Sequence, residues 1–214
     1  MADNAKGHPG FKWVRAINGG KDMPAPSKVP VASAYQGAIN GGSSIDINIG
    51  DPVRRLSTGY WAVADGSEGA AAGVTVGGIV VGIAPYFDGT SMVPGNRLPG
   101  ATTYGTNFER QSFIYVVPAN AGYWAIDCDD KVTATTYAAY LAFLGENADH
   151  VLTTGSEPKS NCLLDISDHK TATAQWRIEE ISGSAKNQDF SGLYVELIVR
   201  INEGQQPEFT ATGI

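Results

Sequence analysis

The chain has 214 residues, with 43% hydrophobic and only 17% charged side chains, and glycine is abundant at 26. This is enough chain for one generous β domain or two small ones, and the small-residue surplus suits short strands joined by many turns. Fifteen basic against 22 acidic residues leave a net charge of -7, a sign that repels phosphate backbones and argues against nucleic-acid binding. The basic residues are scattered, and the one adjacent pair, Arg54-Arg55, reads as a solvated strand end.

Residues 1–32 differ from the rest. They carry Pro9, Pro24, Pro26, Pro30 and a Gly19-Gly20 pair around a short apolar patch, Phe11 to Ile17. Phe11, Trp13, Arg15 and Ile17 alternate with Lys12, Val14 and Ala16, which predicts an extended arm or an edge strand. Such an arm either docks as the first strand of its own sheet or reaches across to a neighbouring subunit. In the second case, deleting residues 1–20 would remove binding and leave the circular-dichroism spectrum nearly unchanged. The start of the chain, Met1 to Lys6, lacks the charged start and apolar core of a secretory signal.

Strand signals become dense from Ser44. Ile45, Ile47 and Ile49 alternate with Asp46 and Asn48, a half-buried strand ended by Gly50-Asp51-Pro52. Val53 to Leu56 leads to the turn Ser57-Thr58-Gly59 and the strand Tyr60–Ala64. The small-residue stretch 65–73 reads as an exposed, mobile loop. Val74–Ile83 is apolar enough for a central strand, with Gly77-Gly78 marking a bulge or a close backbone approach.

Residues 84–107 hold Pro85, Pro94 and Pro99 among several glycines, so no long element fits. Tyr86, Phe87, Tyr104 and the nearby Phe108 imply that this segment is ordered against the domain or a neighbouring chain. Next comes Phe113–Asp127. An apolar run to Val117, turn residues Pro118 to Gly122, and a second extended run from Tyr123 to Ile126 predict a strand buried on both faces and a β-hairpin with a longer loop. Gly59-Tyr60-Trp61-Ala62-Val63 echoes Gly122-Tyr123-Trp124-Ala125-Ile126, as if one structural device were used twice.

One helix is expected. Tyr137, Tyr140, Leu141 and Leu144 recur at helical spacing, with Thr135 or Thr136 as N-cap and Gly145 as the stop, and this stripe should cover the sheet. Ala172–Ile181 and Leu193–Ile201 return to strand alternation, and 202–214 forms a polar tail. The whole predicts a mainly β fold: a β-sandwich or β-barrel core with one short helix and an extended N-terminal arm. Its parts are an arm at 1–32, a β-rich domain at 33–201 (two fused layers, about 33–112 and 113–201) and a tail at 202–214.

Little of the sequence points to catalysis. His8, His150 and His169 are isolated from one another, read as surface or turn residues, and no HExxH or CxxC spacing exists. Asp127 and Asp129 could share one side of a strand, but the loop spacing and turn glycine of a calcium site are missing. Cys128 and Cys162 read as free thiols rather than a disulfide. No phosphate-binding glycine loop or nucleophile elbow occurs, so neither a cofactor nor a metal is expected. No apolar run approaches the roughly 20 residues that span a bilayer. Trp61 and Trp124 could form a sugar-stacking platform, although buried strand aromatics are the commoner use.

Several segments together carry a family likeness. Ile49-Gly50-Asp51-Pro52-Val53, Gly59-Tyr60-Trp61-Ala62 and Gly78-Ile79-Val80-Val81-Gly82-Ile83 lead it. Tyr104-Gly105-Thr106-Asn107, Ile126-Asp127-Cys128-Asp129-Asp130 and Asn187-Gln188-Asp189-Phe190-Ser191-Gly192 follow. The chain resembles the head-decoration (cement) proteins of tailed bacteriophages over most of residues 10–212. The resemblance implies a non-enzymatic virion protein, made in a bacterial cytoplasm and placed on the outer capsid surface. It implies the major capsid protein and further copies of itself, as a homotrimer, for partners, without nucleic acid or membrane. Phe11, Trp13, Arg15, Tyr86, Phe87 and Arg97 are the candidate contact residues. A head-fibre or tail component and a carbohydrate-binding β-sandwich are the alternatives.

Overall fold

The computed structural model describes residues 10–31, 46–56, 59–64, 66, 75–87, 91–98, 112–129, 136–152, 160–170, 174–184, 187, 189–190 and 194–202. The expected loop 65–73 (apart from Gly66), the tail beyond Asn202, Tyr104–Asn107, Phe108 and His8 lie outside them. The chain is mainly β. In order come β1 (Lys12–Ala16), β2 (Ser27–Val31), β3 (Ile47–Asn48), β4 (Pro52–Arg55) and β5 (Trp61–Val63). Then follow β6 (Gly78–Ile83), β7 (Tyr86–Phe87), β8 (Met92–Val93), β9 (Arg97–Leu98), β10 (Ser112–Pro118) and β11 (Gly122–Asp127). After the single helix of the described residues, α1 (Tyr137–Leu141), come β12 (Asn147–Leu152), β13 (Cys162–Lys170), β14 (Trp176–Ile181) and β15 (Glu196–Ile201).

Two bodies of sheet result. Strands β10-β2-β5-β4-β6 close a barrel, and β1-β11-β15-β14-β12-β13 form a six-stranded sheet. That sheet curls. Leu164 on β13 bridges to Cys128, just past β11, so the far strand returns beside the near one. One continuous hydrophobic core runs through both bodies, from Val53, Ile79 and Ile114 in the barrel to Trp124, Trp176 and Leu197 in the sheet.

The expected hairpin at 113–126 does not form. β10 pairs with β2 and β6, whereas β11 pairs with β1 and β15. The turn residues Ala119–Ala121 make a short 3-10 turn that hands the chain from barrel to sheet. Nor is β10 buried on both faces: Ile114 and Val116 point inward, while Phe113 and Tyr115 are half-buried. A barrel strand has one inner and one outer face, and the apolar outer residues hid that alternation.

The N-terminal segment follows this joint in reverse. β1 lies antiparallel to β11, with Trp13 opposite Trp124, and β2 lies antiparallel to β10, with Val31 opposite Ser112. The segment is therefore extended but bound at both ends, once to each body. A bulge between Trp13 and Arg15 shifts its register, so Trp13 turns inward while Arg15 turns out over Tyr123.

Close backbone approach explains Gly78. A Cβ there would lie 2.6 Å from the Val117 carbonyl oxygen and would collide with the Val116 side chain. β15 sits at the centre of the sheet between β11 and β14, with Leu197, Val199 and Ile201 buried on one face and Glu196 and Ile198 buried on the other. Asn187 closes over its start. Its side-chain amide donates to the Glu196 carbonyl at 2.8 Å and accepts from the Glu196 N–H at 2.8 Å, and the same carbonyl accepts from the Ser182 N–H just past β14 at 3.1 Å.

The helix is shorter than its spacing suggests and faces differently. Thr136 caps it, accepting from the Ala139 N–H, and it ends at Leu141, with turns continuing to Gly145 at φ +87°. Tyr140 and Phe143 point into the core, whereas Tyr137 is 52% exposed, Leu141 42% and Leu144 37%. Of the expected stripe only Tyr140 covers the core, joined there by Phe143, while Tyr137, Leu141 and Leu144 point outward.

Candidate interaction surface

The six candidate contact residues form two groups by the elements that carry them. Trp13 and Arg15 lie on β1, the outer strand of the six-stranded sheet, with Phe11 just before it, and Tyr86, Phe87 and Arg97 lie on the short strands β7 and β9.

Phe11 presents no surface to a partner. It is buried, its ring lies 4.3 Å from that of Trp176, and its N–H donates to the Gly50 carbonyl at 2.9 Å. Trp13 stacks edge-on against Trp124 at 5.3 Å and donates from Nε1 to the Lys21 carbonyl at 3.0 Å. Both aromatics thus belong to the chain's own core and its margin. Deleting residues 1–20 would remove β1 and its pairing with β11, so the expectation of an unchanged fold is replaced by loss of an integral strand.

Arg15 is the member of this group that reaches the surface. Its guanidinium lies 4.5 Å above the Tyr123 ring and pairs with Glu180 on β14. Hydrogen bonding to Glu180 raises its pKa further, so it carries a fixed charge. Beside it, Arg200 and Arg177 both reach Glu179, making a strip of alternating charge across the outer face of the sheet. Half-exposed pairs of this kind contribute about 0–1 kcal/mol each and do more to set partner preference than stability.

In the second group, Tyr86 is buried. The β7–β8 pairing sets Phe87 opposite Met92, which is 62% exposed. Arg97 pairs with Asp46 at 3.2 Å, and β9 pairs there with β3. Apolar side chains that sequence reading did not select stand out instead: Met92, Ile49 at 44% exposure, and the helix trio Tyr137, Leu141 and Leu144. Tyr137 also meets Phe190 edge-on at 5.3 Å, so this patch extends onto the segment before β15.

The reactive side chains lie inside. His150, expected at the surface, is buried at 1% exposure. Its Nδ1 accepts from the Trp176 indole N–H at 3.2 Å, and its Nε2 lies 3.0 Å from the Ala64 carbonyl. With Nδ1 accepting, the proton sits on Nε2 and donates to Ala64. This contact and the one from the Val76 N–H to Gln175 Oε1, at 3.1 Å, tie the barrel to the sheet by buried hydrogen bonds. Ala148, His150 and Leu152 share one face of β12, and that period-two pattern was the available signal for a buried histidine.

Cys128 and Cys162 are both buried free thiols. Burial pushes the Cys128 thiol up to about 12, although the Tyr140 hydroxyl 4.0 Å away pulls the other way. Burial likewise raises the Tyr140 phenol. Neither group ionises near neutrality, so neither is primed as a nucleophile.

Asp127 lies directly opposite Glu196 on the neighbouring strand, and both are buried. Among the described residues, no group of three or more His, Cys, Asp or Glu side chains is arranged to hold a metal ion. Trp124 is fully buried and closed to any sugar. Trp61 is half-buried, and its ring fills the space beside Gly77. No helix among the described residues is long and apolar enough to cross a membrane. No family model, curated protein or solved structure matches this chain.

Proposed function

We propose that the chain is a non-enzymatic structural protein of a tailed-phage head, a cement or decoration protein seated on the outer surface of the capsid. Its partners are the major capsid protein and further copies of itself, arranged as a trimer. One observation carries this reading. The side chains best suited to chemistry, His150, Cys128 and Cys162, are built into the core, while apolar side chains such as Met92, Tyr137 and Leu141 stand at the surface. That distribution suits a protein that works by contact. The family likeness of the 49–53, 59–62 and 78–83 segments supplies the shell as the surface contacted.

The physical logic is one of repeated modest contacts. A body whose two halves share a core transmits load without hinging, and many copies on one lattice convert weak individual contacts into strong retention. The expected surface for this is the Arg15 charge strip together with the exposed apolar side chains.

Co-sedimentation with undecorated phage shells, with free capsid protein as control, tests the reading. Saturable binding to assembled shells and not to free capsid protein is expected. Absence of binding at high concentration overturns it.

A further inference from the structure

We propose that Asp51 is a proton-operated latch at the seam where the N-terminal segment meets the body: neutral, it lets the seam close, and ionised, it loosens it. Asp51 is completely buried at the end of the tight turn Asn48–Asp51, in which Gly50 has φ +95°. Three parts of the chain converge on this turn. The Phe11 N–H donates to the Gly50 carbonyl at 2.9 Å. The Gly50 N–H donates to Val80 on β6 at 2.8 Å, and the Val80 N–H donates back to the Asp51 carbonyl at 3.0 Å. Ser160 hydrogen-bonds to the Asp51 carboxyl and also accepts from the Cys162 N–H at 3.1 Å. Gly10 fits closely here, since a Cβ on it would lie 2.5 Å from the Gly50 oxygen.

The backbone of this seam is well paired, but its side-chain oxygens are not. Asp51 Oδ2 accepts from the Asn48 N–H at 2.7 Å, whereas Asp51 Oδ1 and Asn48 Oδ1 are both buried with no hydrogen-bond partner among the described residues. A buried carboxylate with an unsatisfied oxygen is costly, and a proton removes both the charge and one of the two orphaned acceptors. It turns Oδ1 into a donor three residues from an orphaned acceptor in the same turn.

Among the described residues, the charged groups around the seam do not relieve the anion. Asp46 on the same segment acts against it, and Arg97 on β9 is held by Asp46. His150 meets the Phe11 ring edge-on at 6.3 Å, with both nitrogens engaged elsewhere. Gly10, Phe11, Val80 and Ser160 carry no titrating side chain.

Burial is the largest influence and raises the Asp51 carboxyl to about 7, against the lowering effect of the Ser160 and Asn48 hydrogen bonds. The sign follows from linkage. Below the unfolded carboxyl range both states hold the proton and ionisation costs nothing. Between there and pH 7 the closed seam keeps a proton that the open chain has lost, so closure weakens as pH rises and levels off above 7.

Carbon-13 NMR of the Asp51 carboxyl, with hydrogen exchange at the Phe11 amide, tests the latch. The carboxyl is expected to titrate with a midpoint near 7. Protection of the Phe11 amide is expected to fall about tenfold per pH unit between pH 5 and 7, then flatten. Asp51→Asn, which has no proton to lose, should show no such fall. A midpoint near 4, the ordinary carboxylate value, overturns the proposal. So does the same fall in protection in Asp51→Asn. Should that variant fail to fold, the wild-type carboxyl titration decides alone.

Discussion

Trp124 Nε1 donates to the Ala119 carbonyl at 3.0 Å, across the bend where the chain leaves the barrel and enters the sheet. The same tryptophan packs edge-on against Trp13 of the reversed N-terminal strand. One buried side chain therefore fixes both the joint and the strand that runs along it.

Trp124→Phe keeps a large ring and deletes this donor. The Ala119 carbonyl is left without its buried partner, which costs about 1–3 kcal/mol, with a further loss from the smaller ring. Urea denaturation should show a lower midpoint with an unchanged slope. An unaltered midpoint would mean that the bend is held by other contacts.

Gly78→Ala and Gly183→Ala form a matched pair. At Gly78 the new methyl would meet the Val117 carbonyl at 2.6 Å, backbone that cannot swing away, while at Gly183 nothing lies within 4 Å. Overpacking at the first site is expected to cost about 1–3 kcal/mol or more. The second is expected within about 0.5 kcal/mol of the parent. Thermal melts of the two variants check the contrast.

Both thiols should be silent in the folded protein. With Cys128 raised to about 12 and both cysteines buried, a disulfide-exchange reagent at pH 8 is expected to detect no thiol until denaturant is added. Both should then react. A folded protein that reacts rapidly at Cys128 would show that the sheet opens there far more readily than its packing implies.

Strand identity was legible in the sequence to a useful degree, and strand pairing was not. The alternation of Leu197, Val199 and Ile201 marked β15 correctly, and the apolar run at 113–117 marked β10. The partners of β10 and β11 depend on β1 and β2, about a hundred residues away in sequence, and no local pattern specifies that choice. The same limit governs the candidate surface. Phe11 and Trp13 read as presentable aromatics because their alternation is visible, but a one-residue bulge and a distant Trp176 decide which way they point. The exposed faces of Tyr137, Leu141 and Leu144 were missed because Tyr140 and Phe143 make an apolar face beside theirs, and spacing alone does not say which of the two is buried.

The central structural claim is that barrel and sheet form one body, joined by β10–β11, by the paired β1–β2 segment, and by the His150–Ala64 and Val76–Gln175 hydrogen bonds. Differential scanning calorimetry of the intact chain measures this directly. A single transition whose calorimetric and van't Hoff enthalpies agree is expected. Two resolved transitions, one for each body, would contradict it.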